Sequence, residues 1–207
     1  SDGDVTVALG ESKTCTLTND DIAPVLRLRK IVVNDNGGSA TVADFTLTAD
    51  GAKADNDLSG TSPVDSDAGL KADTWVLSET TLPGYTPSDW VCAGGTQGVN
   101  DDDEPTITVG IGGSATCTIT NDDQQAYITV VKSVVNDNGG TALPNDFALT
   151  LEGNAVLSGV AVPVDPGTYT AGETLVDGYT FTGFSGDCDS DGDVTVALGE
   201  SKTCTLT

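Results

Sequence analysis

Residues 1–18 and residues 190–207 are one string, SDGDVTVALGESKTCTLT, repeated 189 positions apart without a difference. A string that recurs without drift at a fixed spacing marks a tandem array, and it governs how everything between the copies is read. Ser1 and Thr207 are then expected to be cuts within such an array, with the first copy the tail of a preceding unit.

A second repeat lies inside the first. Asn34-Asp35-Asn36-Gly37-Gly38 recurs as Asn136-Asp137-Asn138-Gly139-Gly140, each after an alternating run: Leu26–Val33 in the first case and Ile128–Val135 in the second. An Asn-Gly step between alternating segments predicts a β-hairpin. Asp44-Phe45 pairs with Asp146-Phe147, Gly84-Tyr85 with Gly178-Tyr179, and Thr116-Cys117-Thr118 with Thr14-Cys15-Thr16. The 189-residue period therefore holds two homologous domains: domain A over residues 25–122 and domain B over 127–207, with 1–21 supplying the closing strands of a preceding B domain. Domain B is expected to stop just short of its own Asn-Asp-Asp, which domain A has at Asn121-Asp122-Asp123 and the leading segment at Asn19-Asp20-Asp21. Linkers of about three residues, Ile22-Ala23-Pro24 and Gln124-Gln125-Ala126, predict a stiff rod.

Many short strands, turn residues between them and no amphipathic helix predict an all-β chain of tandem Ig-like sandwiches. Acidity alone would allow disorder, but 37% apolar residues in regular alternation argue for folded strands. A formal charge of −24 repels nucleic-acid phosphates and anionic lipid headgroups, so no nucleic-acid partner is expected. No apolar run is long enough to span a membrane. With no histidine, the chain cannot assemble a Ser-His-Asp set, and it has no phosphate loop or cofactor motif, so an enzyme is not expected. Trp75 and Trp90 are the candidates for sugar stacking, but Trp75 shares the inward phase of Leu77 and reads as core.

Five cysteines are odd for a secreted protein. Cys92 and Cys117 fall in domain A, and Cys188 and Cys204 at the equivalent landmarks of domain B. Disulfides Cys92–Cys117 and Cys188–Cys204 are expected, with the partner of Cys15 upstream of Ser1, in an oxidising, extracellular setting. Zinc is disfavoured by the absence of histidine and of CxxC pairs.

Alternation puts residues i and i+2 on one face. Lys30 then shares the apolar phase of Leu26 and Leu28, and Lys132 that of Ile128 and Val130. Glu79 follows Trp75 and Leu77 in phase, Glu173 follows Tyr169 and Ala171, and Asn121 follows Cys117 and Ile119. A buried lysine is costly unless it is paired or neutral. This set, together with Glu79-Thr80-Thr81-Leu82-Pro83-Gly84-Tyr85, resembles the CnaB-like, SpaA-type prealbumin-fold domains of bacterial surface proteins and pili. Domain B departs at Asp177, where domain A has Pro83. The resemblance implies prealbumin-like sandwiches and an intramolecular isopeptide bond in which lysine displaces ammonia from asparagine while a buried acid shuttles protons. Carried over, the candidates are Lys30, Asn121 and Glu79 in domain A, and Lys132 and Glu173 in domain B, where Asn19 represents the asparagine. The alternative is a buried Lys–Glu ion pair with asparagine as a hydrogen-bond partner.

Asp187, Asp189, Asp191 and Asp193 have the D-x-D-x-D-G spacing of half a calcium loop, against the alternative of a solvated acidic turn. No cofactor is required, and Ca2+ is the one candidate ion. Asn100–Glu104 reads as an exposed insertion. The expected function is structural: a self-associating repeat unit of an extracellular filament or cell-surface stalk. The alternatives are the stalk of a giant adhesin or a pilin assembled by strand donation.

Overall fold

A computed structural model of the chain describes residues 3–207. Two β-sandwiches follow one another. Domain A contains β1 (Val25–Val33), β2 (Leu47–Gly51), β3 (Leu58–Gly60), β4 (Val64–Asp65), β5 (Asp73–Glu79), β6 (Tyr85–Pro87), β7 (Val91–Gly94), β8 (Thr96–Val99), β9 (Pro105–Val109) and β10 (Ser114–Asp123). One sheet runs β4-β1-β10-β6, with β7 also on β10, and the facing sheet runs β3-β2-β5-β9-β8. Domain B repeats the plan with β11 (Ala126–Lys132), β12 (Leu149–Leu151), β13 (Asn154–Val156), β14 (Ala161–Val164), β15 (Gly167–Glu173), β16 (Phe184–Gly186), β17 (Asp193–Val196) and β18 (Ser201–Leu206). Its sheets are β14-β11-β18-β16 and β13-β12-β15-β17. No helix among the described residues is long and apolar enough to cross a membrane.

The first and last strands of each domain are parallel neighbours. β1 meets β10 over nine pairs, Val25↔Ser114 to Val33↔Asp122. β11 meets β18 over six, Tyr127↔Ser201 to Lys132↔Leu206. Alternation in β1 sends Leu26, Leu28 and Lys30 inward. Arg27 and Arg29 face outward to Asp65, at 3.7 and 2.6 Å. Leu47, Trp75, Leu77 and Ile107 cover the core from the facing sheet. A fully buried leucine contributes about 1.5–3 kcal/mol. Trp75 is wholly buried and donates its Nε1–H to the Asn56 carbonyl at 2.6 Å, so its polar atom is satisfied inside. Trp90 is also buried, leaving neither indole for sugar stacking.

The two Asn-Gly segments do not make the expected hairpins. β1 and β2 belong to different sheets, as do β11 and β12, so each segment carries the chain across the sandwich through a short 3-10 helix, Val42–Asp44 or Pro144–Asp146. The amides that a hairpin would have turned into its own ladder are bound in domain A by a distant carboxylate, Asp123. Asn100–Glu104 is the exposed tip of the β8–β9 hairpin, with Asn100 Oδ1 accepting the amides of Asp102 and Glu104.

One string occurs in two states. In domain B it supplies β17 and β18, with Val194 and Leu206 1% and 0% exposed; in the leading segment the same residues, Val5 and Leu17, are 50% and 92% exposed. None of the described residues from Gly3 to Pro24 belongs to a strand. Strand formation depends on a neighbouring ladder and a core to cover, not on the string itself.

Only Gln124 and Gln125 separate β10 from β11. Gln124 donates its amide to the Gly84 carbonyl at 2.8 Å and accepts from the Gly199 amide at 3.0 Å. The domains touch closely there: a Cβ on Gly84, where φ is +80°, would lie 2.4 Å from the Leu198 Cβ. A joint this short and this well bonded favours a rod.

Candidate functional site

Lys30 arrives on β1, Glu79 at the end of β5 and Asn121 on β10, and the first two meet inside the sandwich. The Lys30 ammonium lies 2.5 Å from Glu79 Oε2 and 4.3 Å from the centroid of Phe45. Burial pushes the Lys30 pKa below the usual lysine value, outweighing the hydrogen bond and charge of Glu79, which raise it. The pairings Lys30↔Ile119 and Val32↔Asn121 put Asn121 on the same face as Lys30, two residues further along. Asn121 is 1% exposed. Its Oδ1 has no hydrogen-bond partner, and neither has Glu79 Oε1. Two orphaned acceptors beside a buried amine are costly as a resting hydrogen-bond network, because each forfeits its hydration.

In domain B the Lys132 ammonium stands 2.8 Å from Glu173 Oε2 and over the Phe147 ring at 4.6 Å. Glu173 Oε2 lacks hydrogen-bond geometry to any partner. Asn19, the candidate asparagine, is not there; it lies exposed in the leading segment. Instead a cavity of about 800 Å3 opens beside the pair, lined by Lys132, Glu173, Tyr179, Phe181, Thr207 and the Asn136–Gly140 loop.

The most connected polar residue in domain A escaped the sequence reading. Asp123 is buried and accepts the amides of Asp35 and Asn36 at 3.0 Å each and that of Gly38 at 2.6 Å. Tyr85 completes the clasp, donating to Asn34 Oδ1 at 2.6 Å and accepting from the Ala40 amide at 2.9 Å. Tyr179 does the same for Asn136 and Ala142 in domain B. The signal was the joint recurrence of the Asn-Asp-Asn-Gly-Gly and Gly-Tyr segments, which a local hairpin reading separates. Burial alone would raise the Asp123 pKa, but the amides of Gly38, Asn36 and Asp35 outweigh it and hold the carboxyl below its ordinary 3.8. A depressed folded-state pKa stabilises above the unfolded value and is lost as pH falls through the folded one. Asp123→Asn is therefore expected to cost roughly 2–3 kcal/mol at neutral pH. Thermal melts at successive pH values should show the gap from the parent narrowing below pH 4.

Asp35, Asp122 and Asp123 bring their oxygens within 4.8 Å of one another. The amides of Asp35, Asn36 and Gly38, all bound by Asp123, bring the loop to the end of β10 and account for that approach. The four candidate calcium ligands are not gathered: among the described residues the Asp35 trio is the one such acidic group. Asp189 Oδ1 accepts the amides of Asp191 and Asp193, Asp187 accepts that of Thr203, and Asp193 accepts the Thr170 hydroxyl. Three of the carboxylates thus each accept hydrogen bonds from the surrounding chain. Both disulfides are formed, Cys92–Cys117 and Cys188–Cys204, and Cys15 is free and exposed.

Residues 21–119 and 123–206 each match the family described as a prealbumin-like fold domain, of SpaA type. No curated protein matches the sequence. Among solved structures, the Bacillus anthracis TIE protein aligns over 90% of this chain at 17% identity and a TM-score of 0.49, the chain spanning 34% of that protein. The C-terminal fragment of the pilus adhesin SpaC from Lactobacillus rhamnosus GG aligns over 87% of this chain and 95% of the fragment, at 16% identity and a TM-score of 0.43. The major pilin of Streptococcus pyogenes aligns over 92% of this chain and 97% of its own, at 13% identity and a TM-score of 0.36. With both sandwiches matched over most of their lengths, the chain belongs to the SpaA-type prealbumin-like fold family.

Proposed function

We propose that the chain is a shaft segment of an extracellular filament or cell-surface stalk, built to hold its shape under tension. The parallel pairing of β1 with β10 carries this reading. The chain enters domain A at the start of β1 and leaves at the end of β10, so its two attachment points lie at opposite ends of a ladder about 30 Å long. Tension then slides the two strands past each other and loads the whole ladder at once, whereas a hairpin would be unzipped bond by bond. Lys30 and Asn121 stand on those two strands.

In this reading the neutral Lys30 amine attacks Asn121 Cγ, an Nζ–Cγ amide bond forms, the Cγ–Nδ2 bond breaks, and ammonia leaves with a proton relayed through Glu79. Burial favours the neutral amine that the step requires. The set acts once, on its own chain, with no turnover. Disulfides persist outside the reducing cytosol, and a charge of −24 keeps long arrays soluble. Immunogold labelling with antibodies to the folded chain, on cells that express it, is expected to decorate surface filaments along their length. Label confined to the cell interior would overturn the reading.

A further inference from the structure

We propose that Asp123 is the latch of the joint between the two sandwiches. By holding the Asn34–Gly38 loop, it supports one of two struts without which domain B would swing about Gln124-Gln125. Domains joined in one chain move relative to each other unless an interface holds them. The joint lies in the middle of the chain, and it is the same device whether or not the chain is part of a filament.

The strand order places the struts. β10 runs through Gln124 and Gln125 straight into β11. In its sheet β10 lies between β1 and β6, and β11 lies between β14 and β18. The ends of these flanking strands meet in pairs, one pair on each side of the connection. On one side Gly37, in the loop after β1, lies against Asp165 and Pro166, which follow β14. A Cβ on Gly37, where φ is +83°, would come 2.8 Å from the Asp165 Cβ and 2.7 Å from the Pro166 Cδ. Glycine is what lets the two backbones approach this closely. On the other side Gly84, just before β6, lies against Leu198, which precedes β18. A groove of about 430 Å3 is bordered by both contacts and by Ser39, Pro83, Ala197 and Glu200, so the domains do not pack there as one continuous face. Each contact therefore carries a large share of the resistance to bending.

The linker's own bonds pin the pivot: Gln124 Nε2 donates to Thr86 Oγ1 at 2.6 Å, and Gln125 Nε2 to the Val164 carbonyl at 2.8 Å. Rotation about that pivot is resisted by the struts. The Gly84 strut is built into a sheet, because Tyr85 pairs directly with Asp123 on β10. The Gly37 strut has no ladder beneath it, since no residue from Asn34 to Gly38 belongs to a strand. Its place is set by Asp123, which accepts the amides of Asp35, Asn36 and Gly38, the residues on either side of Gly37. Asn36 returns a bond from Nδ2 to the Asp123 carbonyl at 2.9 Å. The surface it meets is also fixed, because the Tyr169 hydroxyl donates to the Asp165 carbonyl at 2.8 Å. Asp123 is the last residue of β10, so the residue that closes domain A also sets its hold on domain B.

The test is residual dipolar couplings of the isotope-labelled 207-residue chain in a weakly aligning medium. In the parent, the couplings of both sandwiches are expected to fit a single alignment tensor. In Asp123→Asn they should still fit within each sandwich, which shows that both remain folded, but should no longer share a tensor. The degrees of order of the two domains should then differ about twofold. Pro166→Ala leaves the clasp in domain A intact and removes part of the surface that Gly37 meets, so it should loosen the joint in the same direction. A role for Asp123 confined to the stability of domain A would lower its Tm and leave the shared tensor in place. Separate tensors in the parent, or a shared tensor retained in either variant, would overturn the proposal.

Discussion

Lys30→Ala is expected to destabilise domain A by about 3–5 kcal/mol, because it leaves the buried Glu79 carboxylate without its partner. If the amide bond to Asn121 has formed, the same variant regains the mass of one ammonia, and its loss of stability exceeds that range. Equilibrium denaturation and intact mass, measured on the same sample, separate the two contributions. Replacing the pair together, Lys30→Met with Glu79→Leu, removes both charges and should recover most of the loss of the ion pair, since apolar replacements of buried pairs are often neutral. It cannot recover the cross-link. A loss below about 1 kcal/mol for Lys30→Ala would mean that the pair behaves like a solvated surface bridge.

Removing the domain A disulfide, by Cys92→Ser with Cys117→Ser, is expected to cost about 3 kcal/mol. The bond closes 25 residues of chain, and restricting the unfolded state by a loop of that size accounts for the figure. For a domain of this size the fall in Tm should be on the order of 10–20 °C. The Cys188–Cys204 bond closes a shorter stretch, with a separation of 16, and should contribute slightly less. The domain A bond joins β7 to β10, and the Lys30–Asn121 link would join β10 to β1, so the closing strand would be held on both sides. Scanning calorimetry with and without reductant checks the effect. An unchanged Tm on full reduction would contradict it.

Strand phase was enough to place Lys30 and Glu79 inside, because alternation is local and a residue two positions from a buried leucine must share its face. The cysteine pairs were legible for a related reason: each domain carries two, at matching landmarks. The Asn34–Gly38 segment was not legible. Its turn chemistry reads as a hairpin, but its amides bind Asp123, some 85 residues away in sequence, and no local pattern reports such a partner. The aspartates of residues 187–193 have a calcium loop's spacing, yet Asp189 turns its oxygen to its own following amides, a choice that spacing does not encode. Most plainly, Ser190–Thr207 forms strands while the identical leading string does not, as far as it is described, so the deciding information lies in the neighbours each copy meets.

Single-molecule pulling on the chain from its two ends tests the central claim most directly. With β1 and β10 sheared as a unit and joined through Lys30 and Asn121, domain A should give no unfolding step. The Lys30→Ala variant under reducing conditions should release a step of about 300 Å, the extended length of the freed domain. Two unfolding steps from the parent under the same reducing conditions, one for each domain, would contradict the account.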